Sequence, residues 1–303
     1  MPAPLLTLLV YVTVALCWSG SWITGKLGVA LIPPLELSTV RFALAGLLML
    51  AIARVVGAPL GLAKLPLVTL AGAFGIFGYN ALVFVGLTLA PAGDGALIVP
   101  TLNPAMVVLF ATLVGERITR NKIIGLGVAT FGAAVVIAVA QSGLAFSTER
   151  LVGDLLMVGG AACWGVYATL GAVTTRHGSP LGVTAIACLA GAAMLFPFGF
   201  LERGYTDVPS WPASAWADIG YLAVFATTIG FVLFYWAVQR FGAGLASMIS
   251  YLVPVFTLVE ASFILGEHPA PLQLAGGAII LLGVRVATWR VRVVAPLEDA
   301  ASA

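Results

Sequence analysis

Apolar stretches of about twenty residues recur along the chain, each closed off by a short polar break. A bilayer core about 30 Å thick takes about twenty residues of helix to cross, whereas a barrel would show alternating segments of about ten. The pattern predicts an all-α polytopic membrane protein. Its ten transmembrane helices fall over 4–24, 35–54, 66–89, 94–115, 122–141, 153–174, 180–200, 217–238, 244–265 and 271–289. The first stretch has no Lys or Arg before Leu5 and runs on through Trp18 and Trp22 without a clear cleavage site. It reads as a permanent span and not as a signal peptide.

Two of the stretches echo one another. PAGDGALIVPTLNPAMVVLFATLVGER (91–117) and GAGLASMISYLVPVFTLVEASFILGEH (242–268) both follow Gly-rich punctuation, carry a central proline and end in Gly-Glu. Pro104 aligns with Pro254 at an offset of 150 residues, and Cys17-Trp18 aligns with Cys163-Trp164 at 146. The chain thus reads as a first five-helix repeat over 1–146, a second over 147–292 and a short cytoplasmic tail over 293–303. Five is odd, so the repeats face opposite ways across the bilayer. Inverted repeats with interrupted helices point to a binding site near the midplane. Pro100, Pro104 and Pro254 are the expected helix kinks, since each removes a backbone hydrogen bond.

Composition agrees with a membrane chain. The sequence is 61% hydrophobic and 9% charged, with a mean hydropathy of +1.11, against about 25% charge in a soluble domain. The net charge of +2 comes from scattered basic residues, which excludes a nucleic-acid partner. With the N-terminus in the cytoplasm, ten Lys and Arg fall on the cytoplasmic side (Arg54, Lys64, Arg117, Arg120, Lys122, Arg176, Arg240, Arg285, Arg290, Arg292). Three (Lys26, Arg150, Arg203) fall outside, so the positive-inside rule puts both termini in the cytoplasm. Cys17, Cys163 and Cys188 lie within spans as small packing residues, and no Cys/His spacing suits a metal.

Several polar residues interrupt the spans. Arg41 must find a partner or reach water, because a charge at mid-span costs at least about 2.5–3.5 kcal/mol. It is either tied to carbonyls or contacts an anion or carboxylate. Glu260 is the one carboxylate placed well inside a span, as a partner of Arg41 or another donor, or as a proton carrier. Gly72, Gly75 and Gly78 line one side of the third helix and admit a neighbour; Gly125, Gly127 and Gly132 read as packing in the fifth. Tyr79-Asn80, Thr101 and Asn103 serve either core hydrogen bonding or a cavity. Ser247, Ser250, Tyr251, Pro254 and Thr257 form a stripe on the ninth helix. Glu116 to Lys122 carry a topology signal.

WSGSW in the first span, PxxxxxxR in the second, an Ala/Gly-rich third span, NPAM…GER in the fourth and VP…GE in the ninth resemble the drug/metabolite transporter superfamily, in its branch of EamA-type ten-helix exporters. The resemblance implies a basket-like 5+5 inverted fold with a central cavity lined by helices one, three, four, six, eight and nine, while five and ten serve as scaffold. It implies Trp18, Tyr79, Asn80, Thr101, Asn103, Trp164, Tyr167, Tyr235 and Tyr251 as substrate-binding candidates, with Arg41 and Glu260 as a coupling or intramembrane ion pair. One repeat departs from the other: Asn103 corresponds to Val253, and no charged residue of the seventh span corresponds to Arg41. The implied activity is alternating-access export of amino acids, aromatic or other neutral, and related small metabolites. The alternatives are a drug, a nucleoside or a lipid-linked sugar as cargo. The partners expected are a small-molecule substrate and the lipid bilayer, with the chain acting as a monomer and no cofactor. An enzyme fits less well, because His177 and His268 lie near loops and no catalytic or metal spacing lies within the spans. A channel lacks a charged ring or filter loop. With no GxxxxGK(S/T), direct drive by ATP is not expected.

Overall fold

The computed structural model describes residues 3–89, 92–116, 118–140, 147–264 and 271–287. Ten helical rods account for most of them, and no strand occurs among the described residues. They are α1 (Ala3–Leu31), α2 (Pro34–Val55), α3 (65–89), α4 (92–114), α5 (Arg120–Ala140), α6 (Thr148–Thr174), α7 (Pro180–Glu202), α8 (Ala213–Phe241), α9 (243–264) and α10 (Pro271–Ala287). The expected spans match these within a few residues, apart from α1, which runs seven residues further, and the first turns of α6 and α8.

Local chemistry sets the ends. Pro34 and Pro180 open α2 and α7, where a missing N–H costs nothing. Ser147 and Ser179 cap α6 and α7, accepting from the N–H groups of Arg150 and Gly182. A single residue, Gly242, joins α8 to α9 at φ +85°, a conformation that favours glycine. Pro100 and Pro104 lie buried inside a helix that continues through both. The matching place in α9 takes another form: a 3-10 stretch, Ser247–Tyr251, runs into the helical turn that holds Pro254. α3 and α8, the third helix of each half, both contain a π-helical stretch, at Ala73–Gly78 and Leu222–Ile229.

The two halves interlock. α4 packs on α6 and α9 packs on α1; α3 packs on α6 and α8 packs on α1. α2 and α7 lie side by side and are clamped at both ends. At one end Glu202 Oε2 accepts from the N–H groups of Leu35 and Glu36 (2.9 and 3.1 Å), while Glu36 Oε1 accepts from those of Arg203 and Tyr205 (3.1 Å each). At the other end the Pro59 carbonyl, in the loop after α2, accepts from the backbone N–H and hydroxyl of Ser179. Each clamp joins the loop leaving one helix to the first turn of the other, as two halves related by an inverting twofold require.

α5 and α10 pack against each other with little between them. A Cβ on Gly132 would lie 2.7 Å from the Ile280 nitrogen, and one on Gly283 would lie 2.4 Å from the Ala129 nitrogen. Gly125 joins this face, whereas Gly127 points into open space and has no packing role.

Candidate functional site

The largest aromatic cluster lies where the halves meet. Trp18 of α1 and Trp164 of α6 come edge to face at 5.3 Å between ring centres. Phe231 and Phe234 of α8 contact both indoles at 5.3–6.0 Å. Tyr79 of α3 lies 5.5 Å from Trp164 on another side. Tyr167 stacks on Tyr235 at 4.7 Å below this group, and the Tyr235 hydroxyl donates to the Tyr167 carbonyl at 3.0 Å. Edge-to-face and offset contacts of this kind suit the ring quadrupole.

The π-helical stretches shape this cluster. Trp18 Nε1 donates to the Ala226 carbonyl at 3.1 Å, within the π stretch of α8. Gly230 leaves the room for it, since a Cβ there would come 2.6 Å from the same nitrogen. In α3 the Ile76 carbonyl, within the other π stretch, accepts from Asn80 Nδ2 at 2.7 Å. Gly75 gives way to the Tyr167 ring in the same manner. The indole of Trp164 is buried, and its Nε1 has no partner among the described residues.

Polar side chains gather beside Tyr79. Asn80 Oδ1 accepts from Arg41 Nη2 at 3.1 Å, and the Arg41 guanidinium lies 4.2 Å over the Phe42 ring. Asn103 lies beside Tyr79, and its Oδ1 is buried without a partner among the described residues. Trp18, Tyr79, Asn80, Asn103, Trp164, Tyr167 and Tyr235 thus form one connected set around the junction of the halves, with Arg41 at its edge.

Two other candidates lie elsewhere. The Tyr251 hydroxyl donates to the Thr101 carbonyl at 3.3 Å and shares a hydrogen with Thr130 Oγ1 of α5 at 2.6 Å. Tyr251 packs with Val108, Ala129, Met248 and Ile280, against the α5–α10 pair. Thr101 and Asn103 are two residues apart on α4, so they point to opposite sides, and only Asn103 meets the aromatic set. The expected ion pair is also absent from the described residues. Glu260 Oε1 accepts from Ser19 at 2.7 Å, and Arg41 has the neutral Asn80 instead.

Some residues of the site were not foreseen. Phe231 and Phe234 sit at helical spacing with Tyr235, and that pattern is visible in the sequence. Ser19 follows Trp18 and has no distinguishing pattern. Glu116, read as a topology signal, accepts from Lys122 Nζ at 2.6 Å and from the Gly244 N–H at 3.2 Å, which ties α4 to the start of α9. The Tyr11 hydroxyl adds a bond to the Leu245 carbonyl at 2.9 Å. His268 and Glu267 lie outside the described residues. The described residues hold no group of three or more His, Cys, Asp and Glu placed to bind a metal.

Residues 5–138 and 151–289 each match the EamA-like transporter family. The chain is 30% identical to the aromatic amino acid exporter YddG of Ancylobacter novellus, over 92% of this chain and 96% of that one. It is 34% identical to the probable terminal-alkyne amino-acid exporter of Streptantibioticus cattleyicolor, over 77% of each. A solved crystal structure superposes with a TM-score of 0.80 at 26% identity, covering 94% of this chain and 96% of its own. With both halves matched and the resemblance running nearly end to end, the chain belongs to the EamA-like transporter family, within the drug/metabolite transporter superfamily.

Proposed function

We propose that the chain is a secondary transporter of a bacterial inner membrane that exports amino acids, aromatic or other neutral, and related small metabolites by alternating access. The observation that carries this reading is the aromatic set at the junction of the halves, with Trp18 from one and Trp164 from the other. Flat apolar side chains suit such a surface, and the polar group beside it at Tyr79, Asn80 and Asn103 suits a small polar head. A site shared by both halves changes its access when the halves rock against each other. The names of two similar proteins, an aromatic amino acid exporter and a probable amino-acid exporter, support the same class of cargo. The excess of basic residues on one side orients both termini to the cytoplasm.

Counterflow in proteoliposomes, with a panel of amino acids, nucleosides and drugs, tests the cargo. Trp18→Ala and Trp164→Ala are expected to weaken transport of an aromatic substrate at least about tenfold while folded protein is retained, given the large contact area each ring supplies. Wild-type rates in both variants across the panel reject the site. Glu260 is our candidate for coupling to protons, with one oxygen on Ser19 and the other buried and unpartnered among the described residues. Glu260→Gln then makes uptake independent of pH; an unchanged pH profile removes Glu260 from that role.

A further inference from the structure

Arg41 is a half-buried cation whose neighbours among the described residues are neutral. Its Nη2 reaches Asn80 Oδ1, its guanidinium face lies on Phe42, and its Nε is buried with no partner among the described residues. The titratable groups beside it are Tyr79 and Cys188, which carry no charge at neutral pH. Two carboxylates of the described spans are engaged in other contacts. Glu36 holds the N–H groups of Arg203 and Tyr205, and Glu260 holds Ser19. A guanidinium does not lose its proton in a protein, and an unpaired charge in a membrane interior is costly. Yet Asn80 is held in place to receive it: its Nδ2 is fixed on the Ile76 carbonyl in the π stretch of α3, so its Oδ1 is turned to Arg41.

A second donor, unused among the described residues, lies beside Tyr79. Trp164, 4% exposed, has an Nε1 with no partner, and its ring stands 5.5 Å from that of Tyr79. The counter-charge missing from the described residues therefore has a natural source in the cargo. We infer that Arg41 binds the carboxylate of the transported molecule while its apolar part lies in the aromatic set. The inference builds on the amino-acid reading above only in choosing which carboxylate arrives, since a zwitterionic amino acid and a simple organic acid share this chemistry.

The purified full-length chain in detergent allows a test without transport. Thermal stabilisation is titrated with L-phenylalanine, L-phenylalaninamide, 3-phenylpropanoate and phenethylamine, and with a set of neutral amino acids and organic acids, each beside its amide. In the wild type, at least one acid is expected to act at a concentration about tenfold or more below its amide, the scale of one charge-assisted hydrogen bond. Arg41→Gln removes that ratio and leaves the response to the amide in place; Arg41→Lys keeps part of it. If Arg41→Gln does not fold, the wild-type ratio and Arg41→Lys decide. Equal potency of acid and amide in the wild type, survival of the ratio in Arg41→Gln, or a flat response to every acid overturns the inference. An Arg41-dependent ratio for 3-phenylpropanoate with none for any amino acid keeps the carboxylate site and rejects the amino-acid cargo.

Discussion

Trp18 and Trp164 hold matching places in the two halves but differ in one bond. Trp18 Nε1 donates to the Ala226 carbonyl, whereas Trp164 Nε1 donates to nothing. Replacing each by Phe separates ring contact from hydrogen bonding. Trp18→Phe frees a carbonyl already displaced from regular helical bonding and is expected to cost about 1 kcal/mol. Trp164→Phe gives up no protein hydrogen bond and is expected to cost less. Melting of both variants in detergent without substrate checks the order, and equal losses contradict it. Asn80 shows how one side chain serves two elements, fixing itself on the α3 backbone while turning its oxygen to Arg41 of α2. That pairing was not legible beforehand, because Arg41 and Asn80 are 39 residues apart and both readings of Arg41 were physically open.

At the scale of elements, matching prolines pointed to interrupted helices, and the structure locates the clearest departures from α geometry in the 3-10 stretch before Pro254 and in the π stretches of α3 and α8. A π turn carries no proline or other fixed mark, since it arises when one extra residue is accommodated in a helix under packing from its neighbours. The glycine rows were legible as packing faces, but which neighbour they meet was not. Gly283→Leu is expected to destabilise by at least about 1–3 kcal/mol, because the approach of α5 leaves no room for the added atoms. Gly127→Ala, with open space at its Cβ, should leave the melting temperature unchanged or slightly raise it. A similar loss in both variants would show that the α5–α10 contact is not the reason.

For the whole molecule, the interlocking matters most. The first helix of each half packs on the third and fourth helices of the other, and the α2–α7 pair is clamped from both sides. Residues 1–146 expressed alone lose the partners of α1, α2 and α4 and are expected to yield no monodisperse protein, while co-expression with 147–303 restores a complex that co-purifies. Size-exclusion chromatography reads the outcome, and a stable isolated half contradicts it. Glu116 acts at this scale too, because it joins the loop after α4 in the first half to the start of α9 in the second. Glu116→Gln leaves Lys122, whose side chain is 10% exposed, without that anion. The expected loss is about 1–3 kcal/mol, the scale of a hydrogen bond to a charged group in a partly buried pair. It is also expected to make a cysteine placed at Val108 more reactive to a water-soluble thiol reagent.

The ten spans, the duplicated halves and their opposed orientation followed from the sequence alone. Apolar length, an odd number of helices in each repeat and a 150-residue echo are properties of order along the chain, and lipid leaves helices few alternatives. Which residues face one another across that junction was only partly legible, and tertiary structure made the decisions: it sent Tyr251 and Thr101 to the α5 side, brought Phe231 and Phe234 to the indoles, and gave Arg41 an amide in place of Glu260. The physical reason is that a helix presents several faces of similar polarity in a chain this apolar, and the choice among them depends on how closely distant backbones approach.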